Sequence, residues 1–391
     1  RLVSPTAGAL DVDYRNYGSA YTGQTASPGY YSNLLTKYGI RTEVTATPRT
    51  SAERYTFPEG TGHILLNLGE GLTNESGAWV RRVSDTEVEG MKLLGTFCYN
   101  PQAVFPVYFV MRVSKRPAAT GFWKKQPPKQ GVEAEWDKDA GNYKLYTQYG
   151  KDIAGDDVGV WFSYDMQPGE QVEVRMGVSF VSAENARLNL EAEQQGRSFD
   201  DIRAAARRTW NDDLGRIRVE GGTEAQKKVF YTGLYHALIH PNVLSDVNGE
   251  YPAMESAEIR TAEGNRYTVF SLWDTYRNLH QLLTLVYPER QLEMVRSMVG
   301  MYREWGWLPK WELYGRETFT MEGDPSIPVI VDTWMKGLRD FDVDAAYEAM
   351  RKSATTPGAR NRMRPDIDPY IEKGYVPLGF YARALSGDNS V

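Results

Sequence analysis

The chain has 391 residues, 41% hydrophobic and 25% charged, which argues against a disordered polymer and is long enough for two cores of ordinary size. A net charge of −6 argues against a nucleic-acid partner, which needs a basic footprint, and no run of roughly 18 apolar residues is available to span a membrane. The single cysteine, Cys98, excludes an internal disulfide and a cysteine-based zinc site.

Arg1-Leu2-Val3 opens directly, with no charged-then-apolar leader of a signal peptide. From Val3 to about Val181, short apolar–polar alternations predict strands, as in His63–Leu68 and Ala78–Val83. Val104–Val113 (VFPVYFVMRV) is apolar enough to be buried on both faces, and Val158–Tyr164 and Val172–Phe180 follow the same habit. Turn signals at Pro58-Glu59-Gly60, Gly69, Gly95, Pro127-Pro128 and Pro168-Gly169 punctuate them, so residues 1–181 read as a β-sandwich. Cys98, in GTFCY, reads as a buried strand residue, and Trp123–Gly141 as a polar exposed hairpin tip or loop.

At Ser182 the period changes. Ala183–Gln195 reads as a helix ended by Gly196. Ser198 then caps a second helix, with Asp201 at the capping-box position and Ile202, Ala206, Trp210 and Leu214 as its stripe. Residues 182–220 are thus a helical connector. Thr223 caps a further helix with Val229, Phe230, Leu234 and Leu238 inward. Helices follow near 272–286, 289–304, 326–339, 343–353 and 370–385, with Pro288 and Pro325 in first-turn positions. Long loops, Pro241–Val269 and Trp305–Asp324, separate them. Alternating short and long loops between paired helices predict an α/α toroid. A closed (α/α)6 ring needs about twice the helices present, so 221–391 reads as the first part of such a barrel.

The chemistry-bearing residues concentrate in Phe270–Asp332. Trp273, Trp305, Trp307 and Trp311 stand there beside Asp274, Arg277, Glu312, Glu317, Glu322, Asp324 and Asp332. Indoles cover the C–H face of a pyranose, while carboxylates and guanidinium groups hydrogen-bond its hydroxyls. Ser271–Arg277 has two readings: a capping box with Asp274 paired to Arg277, or a helix mouth at which Asp274 and Arg277 grip a sugar. Glu312 and Glu317 flank Gly315 and are either solvated loop acids or ligand-touching groups suited to acid–base work. Asp324 reads as a cap for the next helix, and Asp246–Glu250 as a polar turn or a calcium loop. His236 and His240 have the i, i+4 spacing of a zinc pair, but Ala237 breaks the HExxH pattern and a helix-end or core role is expected. No GxGxxG before a helix, Walker loop, GxSxG elbow or EF-hand loop occurs.

FSLWDTYR, LVYPERQLEMVRSMVGMYREWGWLPKWEL, GRETFTMEGDPSIPVIVD and WMKG, with YHALIHPNVLSD and GTGHILLNLG, resemble the calcium-dependent exo-α-mannosidases of glycoside hydrolase family 92. The resemblance runs nearly end to end. It implies a β-sandwich, a helical connector and an (α/α)6 catalytic barrel with the site at the domain interface. It also implies inversion, with Ca2+ on two hydroxyls of the cleaved mannose, α-mannoside glycans as partners, and secretion or a periplasmic location. Asp274 carries over as a ligand of that mannose, and Trp273, Arg277 and Glu317 as pocket wall. The family's acid motif, resembling EGNxWQY, and its GNDD-like base motif do not occur, so no catalytic residue is assigned and no metal ligands are named. The remainder of the protein is expected to complete the ring, and residues 1–391 alone to be inactive. The rivals are a non-catalytic mannose-binding relic and another (α/α)6 enzyme such as a glycoside phosphorylase.

Overall fold

A computed structural model describes residues 3–69, 71, 77–95, 100, 102–125, 143–147, 150–358 and 361–378. The chain divides into two compact units, Arg1–Gly95 with Val104–Arg216, and Thr96–Ala103 with Ile217–Val391. Cys98 lies outside the described residues. Among the described residues, no helix is long and apolar enough to cross a membrane.

The first unit is the expected sandwich. Its strands are β1 (Val3–Ala7), β2 (Tyr21–Ser27), β3 (Tyr30–Leu35), β4 (Ile40–Ala46), β5 (Thr50–Thr56), β6 (Gly60–Asn67) and β7 (Ala78–Arg82). They continue with β8 (Glu87–Gly95), β9 (Val104–Val113), β10 (Ala119–Lys125), β11 (Tyr143–Tyr146), β12 (Asp152–Gly155), β13 (Val158–Met166) and β14 (Gln171–Ser179). They form a five-stranded sheet, β1-β6-β13-β10-β11, and a nine-stranded one, β12-β7-β8-β9-β14-β5-β4-β3-β2. Strand alternation sends Ile64, Leu66, Val160 and Phe162 from the first sheet into one core with Tyr55, Val80, Val88, Met111 and Val174 from the second.

The opposite face of the small sheet buries Leu65, Trp123 and Trp161 with Val12. Trp123 stands opposite Gly159, and Gly121 opposite Trp161, in antiparallel register. A side chain on Gly159 would begin 2.1 Å from the Trp123 ring, so glycine leaves the space that the indole fills. Trp123 is therefore core, not part of an exposed loop. The polar run that suggested the loop begins after β10, and residues 126–142 lie outside the described set.

Helices α1 (Ala183–Gln194) and α2 (Phe199–Leu214) cover the outer face of the nine-stranded sheet. Ser182 caps α1, and Ser198 with Asp201 forms the predicted capping box on α2. Ala186 and Leu190 pack on Val110, and Phe199 and Ile202 on Tyr30 and Ala52. Contact at β14 is close: a Cβ on Gly177 would lie 2.2 Å from the Ala186 carbonyl oxygen and 2.8 Å from Leu190 Cβ.

The second unit opens with α3 (Glu224–Ala237), held by a Thr223–Gln226 capping box. Short strands follow: β15 (Asn242–Val243), β16 (Glu250–Pro252), β17 (Ile259–Thr261), β18 (Tyr267–Thr268) and β19 (Phe270–Ser271). Then come α4 (Leu272–Thr275), α5 (Leu279–Val286), α6 (Pro288–Trp305), β20 (Trp311–Leu313), β21 (Arg316–Glu317), α7 (Ser326–Met335), α8 (Val343–Thr355) and α9 (Ile367–Lys373). Helix α6 touches α5, α7 and α8 and supplies Met294, Val295, Met298 and Met301 to their core.

Several helix expectations change. The segment 272–286 is broken, because Asn278 leaves helical geometry at ψ −23° and φ −156° and splits α4 from α5. On α3, Leu234 and Leu238 are buried as expected, but Val229 is 73% exposed and Phe230 half as much, since no described element covers that side. Pro288 does open α6, whereas Pro325 stands one residue before α7. Asp324 does not cap α7. Its carboxylate accepts from the Ser353 hydroxyl (2.9 Å) and the Arg364 guanidinium (3.0 Å). The helix expected near 370–385 begins earlier, at Ile367, and ends at Gly374, whose φ of 75° suits a left-handed helix end; residues 379–385 lie outside the described set.

A polar thread runs through the helical core. His280 Nδ1 lies 2.9 Å from Gln291 Oε1, its Nε2 lies 3.0 Å from the Thr275 hydroxyl, and Gln291 Nε2 donates to Thr333 Oγ1 at 2.9 Å. Burial pushes the imidazole down to about 4, so it stays neutral while an unfolded histidine takes up a proton below about 6.5.

Two outcomes are expected. Gly177→Ala should destabilise the first unit by about 1–3 kcal/mol, measured by denaturant unfolding, because helix and strand must separate to admit a methyl group. From pH 6.5 down to 4, the unfolded chain binds a proton that the folded one refuses, so His280 should remove about 3 kcal/mol of stability across that window. Comparing unfolding of the wild type and His280→Gln at pH 7, 5.5 and 4.5 checks this: the variant should lose less on acidification.

Candidate functional site

The two loops that separate the helices are not irregular. β15 pairs with β18, β16 with β17, and β19, β20 and β21 form a three-stranded sheet. In that sheet Phe270 stands opposite Glu312, Ser271 opposite Trp311, and Glu312 opposite Glu317. All five non-glycine residues with positive φ among those described lie in this region: Glu255 (52°), Val269 (64°), Tyr314 (51°), Phe319 (56°) and Met321 (67°). Left-handed backbone is costly for L-residues, most of all for a β-branched valine, so the surroundings must impose it.

The surroundings are two sealed carboxylates. Glu312 Oε1 accepts from the Thr268 hydroxyl (2.8 Å) and the Gly315 amide (2.6 Å), and Oε2 from the Val269 amide (3.1 Å). Glu317 accepts from the amides of Lys310 (2.8 Å), Trp311 (2.9 Å) and Phe319 (3.0 Å). Its own amide donates to Glu255 at 2.7 Å, and Asn100 Nδ2 donates to its carbonyl at 2.8 Å. Neither glutamate has any solvent exposure. Burial lifts Glu312 to about 7, against the pull of its hydrogen bonds from Gly315 and Thr268. Glu317 is raised by the same desolvation. Burial also pushes the nearby Lys310 amine down, opposed chiefly by Glu317.

Beside them lies an ion pair that no sequence pattern flagged. Arg266 bonds Glu304 at 2.9 Å with both side chains almost fully buried, and Glu304 also accepts from the Tyr251 hydroxyl (2.9 Å) and the Met254 amide (2.7 Å). Such a pair fixes the path of residues 251–266 over α6 more than it adds stability. Arg266 reads in sequence as one more charged residue of a polar loop.

Of the predicted site residues, Trp273, Asp274 and Arg277 fall together on the exposed side of α4. Asp274 and Arg277 are exposed and Trp273 is half-buried. The Ser271 hydroxyl donates to the Asp274 carboxylate but caps no helix amide, so the expected capping box is only partly built. The expected Asp274–Arg277 pair does not form among the described residues. Arg277 lies over the Trp273 ring instead, at 4.4 Å, and 5.1 Å from Tyr276. That contact draws the guanidinium to the ring and leaves the Asp274 carboxylate with Ser271.

Glu317 does not join this group. It was expected in the pocket wall; in the structure three backbone amides donate to its oxygens and it has no solvent exposure. Glu312 is sealed for the same reason. Trp311 and Trp305 bury indole N–H groups that have no acceptor among the described residues, and Trp305 packs on Phe319. Trp307 lies under Lys352 at 4.8 Å. His236 stands in the last turn of α3, with both it and His240 exposed. Asp246–Glu250 closes a turn through backbone bonds. Among the described residues, no three His, Cys, Asp or Glu side chains converge where a cation could sit.

Residues 2–179 match the N-terminal domain of glycosyl hydrolase family 92, and residues 185–389 its catalytic domain. Among solved structures, the chain is similar to the family 92 α-mannosidase BT3965 of Bacteroides thetaiotaomicron, with 30% identity and a TM-score of 0.85 over 97% of this chain and 50% of that one. It is also similar to the inverting family 92 mannosidase BT2199 of the same organism, with 26% identity and a TM-score of 0.82 over 96% and 48%. An uncharacterized secreted glycosidase of Arthroderma benhamiae is 25% identical over 91% of this chain and 42% of its own length. The chain thus spans about half the length of these relatives. With both family domains matched in order on a sandwich followed by helices, the chain belongs to glycosyl hydrolase family 92.

Proposed function

We propose that the protein containing this chain is an exo-α-mannosidase that hydrolyses terminal α-mannosides of glycans with inversion, and that Asp274 and Trp273 form part of the pocket for the cleaved mannose. The observation that carries this reading is the exposed Trp273–Asp274–Arg277 group within a family 92 catalytic domain whose structural relatives are α-mannosidases. One of those relatives is described in complex with mannoimidazole. Asp274 can accept two sugar hydroxyls in bidentate fashion, and the half-buried Trp273 presents an apolar ring for the C–H face of a hexose. Arg277, over that ring at 4.4 Å, adds hydrogen-bond donors beside it.

Among the described residues, no three His, Cys, Asp or Glu side chains converge to hold the calcium ion. We place Ca2+, like the acid and base, on residues other than Glu312 and Glu317. The division into residues 1–181, 182–220 and 221–391 is proposed on the same footing, and the remaining part of the same protein is the partner proposed to complete the helical ring. The secreted or periplasmic location is likewise a proposal, supported by the name of the fungal relative.

In the full-length protein, Asp274→Asn should lower kcat/KM on α-1,2-, α-1,3- and α-1,6-mannobiose by about 10–100-fold, the value of one charge-assisted bond in a pocket. Its unfolding midpoint should hardly change, because Asp274 is exposed. Unchanged kinetics would remove Asp274 from the site. Assaying with and without EDTA tests the ion: activity insensitive to the chelator would count against calcium.

A further inference from the structure

We infer that Glu312 is a positioning residue for the Trp273–Asp274 turn, its buried carboxylate clamping the left-handed Val269 and so fixing where Asp274 stands. The inference rests on the reading of Asp274 as a sugar ligand. The path from one residue to the other is continuous. Glu312 Oε2 holds the Val269 amide, and Oε1 holds the side chain of Thr268 just before it. Phe270, fully buried, pairs with Glu312 in register, and Ser271 pairs with Trp311. The Leu272 amide donates to the Lys310 carbonyl at 3.3 Å, and the Ser271 hydroxyl reaches the Asp274 carboxylate.

Val269 is the link that needs enforcing. A β-branched residue at φ 64° is disfavoured and persists only when several bonds over-determine it. Three donors converge on Glu312, and only a carboxylate offers acceptors on both oxygens. Glutamine would turn an amide donor toward one of them. Glu317 makes the opposite edge of the sheet rigid by the same means, holding Lys310, Trp311 and the left-handed Phe319. Glu312, on β20, thus holds the approach to β19, and Glu317, on β21, holds the start of β20, while neither faces solvent.

The test uses the full-length protein with Glu312→Gln, Asp274→Asn and the double variant, assayed on α-mannobiose, with amide hydrogen exchange on each. Glu312→Gln should lower kcat/KM by about 10–100-fold, mostly in kcat, as expected when a pocket group is displaced by about an ångström. In the Asp274→Asn background the same change should cost less than about threefold, because the group it positions is already gone. Exchange in residues 268–274 should quicken at least about tenfold, while helices 183–194 and 288–305 keep their protection. Val269→Gly leaves Glu312 in place and removes the strain. Glycine takes the left-handed conformation without strain, so Val269→Gly should keep the segment's protection and kcat/KM, and Glu312→Gln added to it should fold and cost less than about threefold if the clamp acts by holding Val269. Equal losses in both backgrounds, or faster exchange spread evenly over the unit, would make Glu312 an ordinary core residue and overturn the inference. If the wild-type protein turns over no mannoside, the reading of Asp274 fails by itself, while the exchange comparison still decides whether Glu312 holds the turn.

Discussion

The loops of the second unit depend on one kind of interaction: a buried carboxylate that takes up the amides its own neighbourhood leaves unpaired. A chain that turns through left-handed residues cannot form a regular ladder, and its N–H groups point inward without strand partners. Glu312 and Glu317 accept six donors between them, counting the Thr268 hydroxyl. An unpaired buried amide costs on the order of 1–3 kcal/mol, so replacing either carboxylate with an apolar group would strand several donors at once. Desolvating an ion inside protein is itself expensive, which is why both acids are lifted above their ordinary range despite those bonds.

The helical core solves a related problem with neutral groups. His280, Gln291 and Thr333 sit on α5, α6 and α7, and each satisfies its neighbour. Their pH signs oppose those of the loop. His280 is depressed and favours folding as pH rises from 4 to 6.5. Glu312 is raised and favours the folded state below about 4.5, a contribution lost as pH climbs through 7. Between about 4.5 and 6.5 the two slopes run in opposite directions. Single substitutions separate them.

Much of the architecture was legible in the sequence because it rests on periodicity and caps. The apolar run Val158–Tyr164, the Ser198–Asp201 box and the Thr223 cap are local signals with local causes. Trp123 was misplaced because its burial depends on Gly159 across the sheet, a partner thirty-odd residues away that no window contains. The break at Asn278 was hidden because the apolar residues on either side keep helical spacing. At the candidate site, the cluster Trp273–Asp274–Arg277 was visible, while its geometry was not. Arg277 prefers the indole face to the adjacent carboxylate. Glu317 stands in a loop rich in charge, and nothing in GRETFT tells a solvated glutamate from one wrapped by three amides.

Solvent access then sorts the carboxylates of this region by the work open to them. Glycoside cleavage needs two carboxyl groups facing each other across a bond, with room for sugar and, for inversion, for a water. A carboxylate saturated by backbone amides cannot take part without unravelling the turn it holds. Glu312, at about 7, has the acidity usual for a general acid, but three donors hold its oxygens and it has no solvent exposure. A perturbed acid in a carbohydrate-active domain is therefore no guide to catalysis until its oxygens are shown to be free. By that criterion Asp274, bonded to Ser271 and exposed, is the more accessible carboxylate, and the glutamates are the enclosed ones.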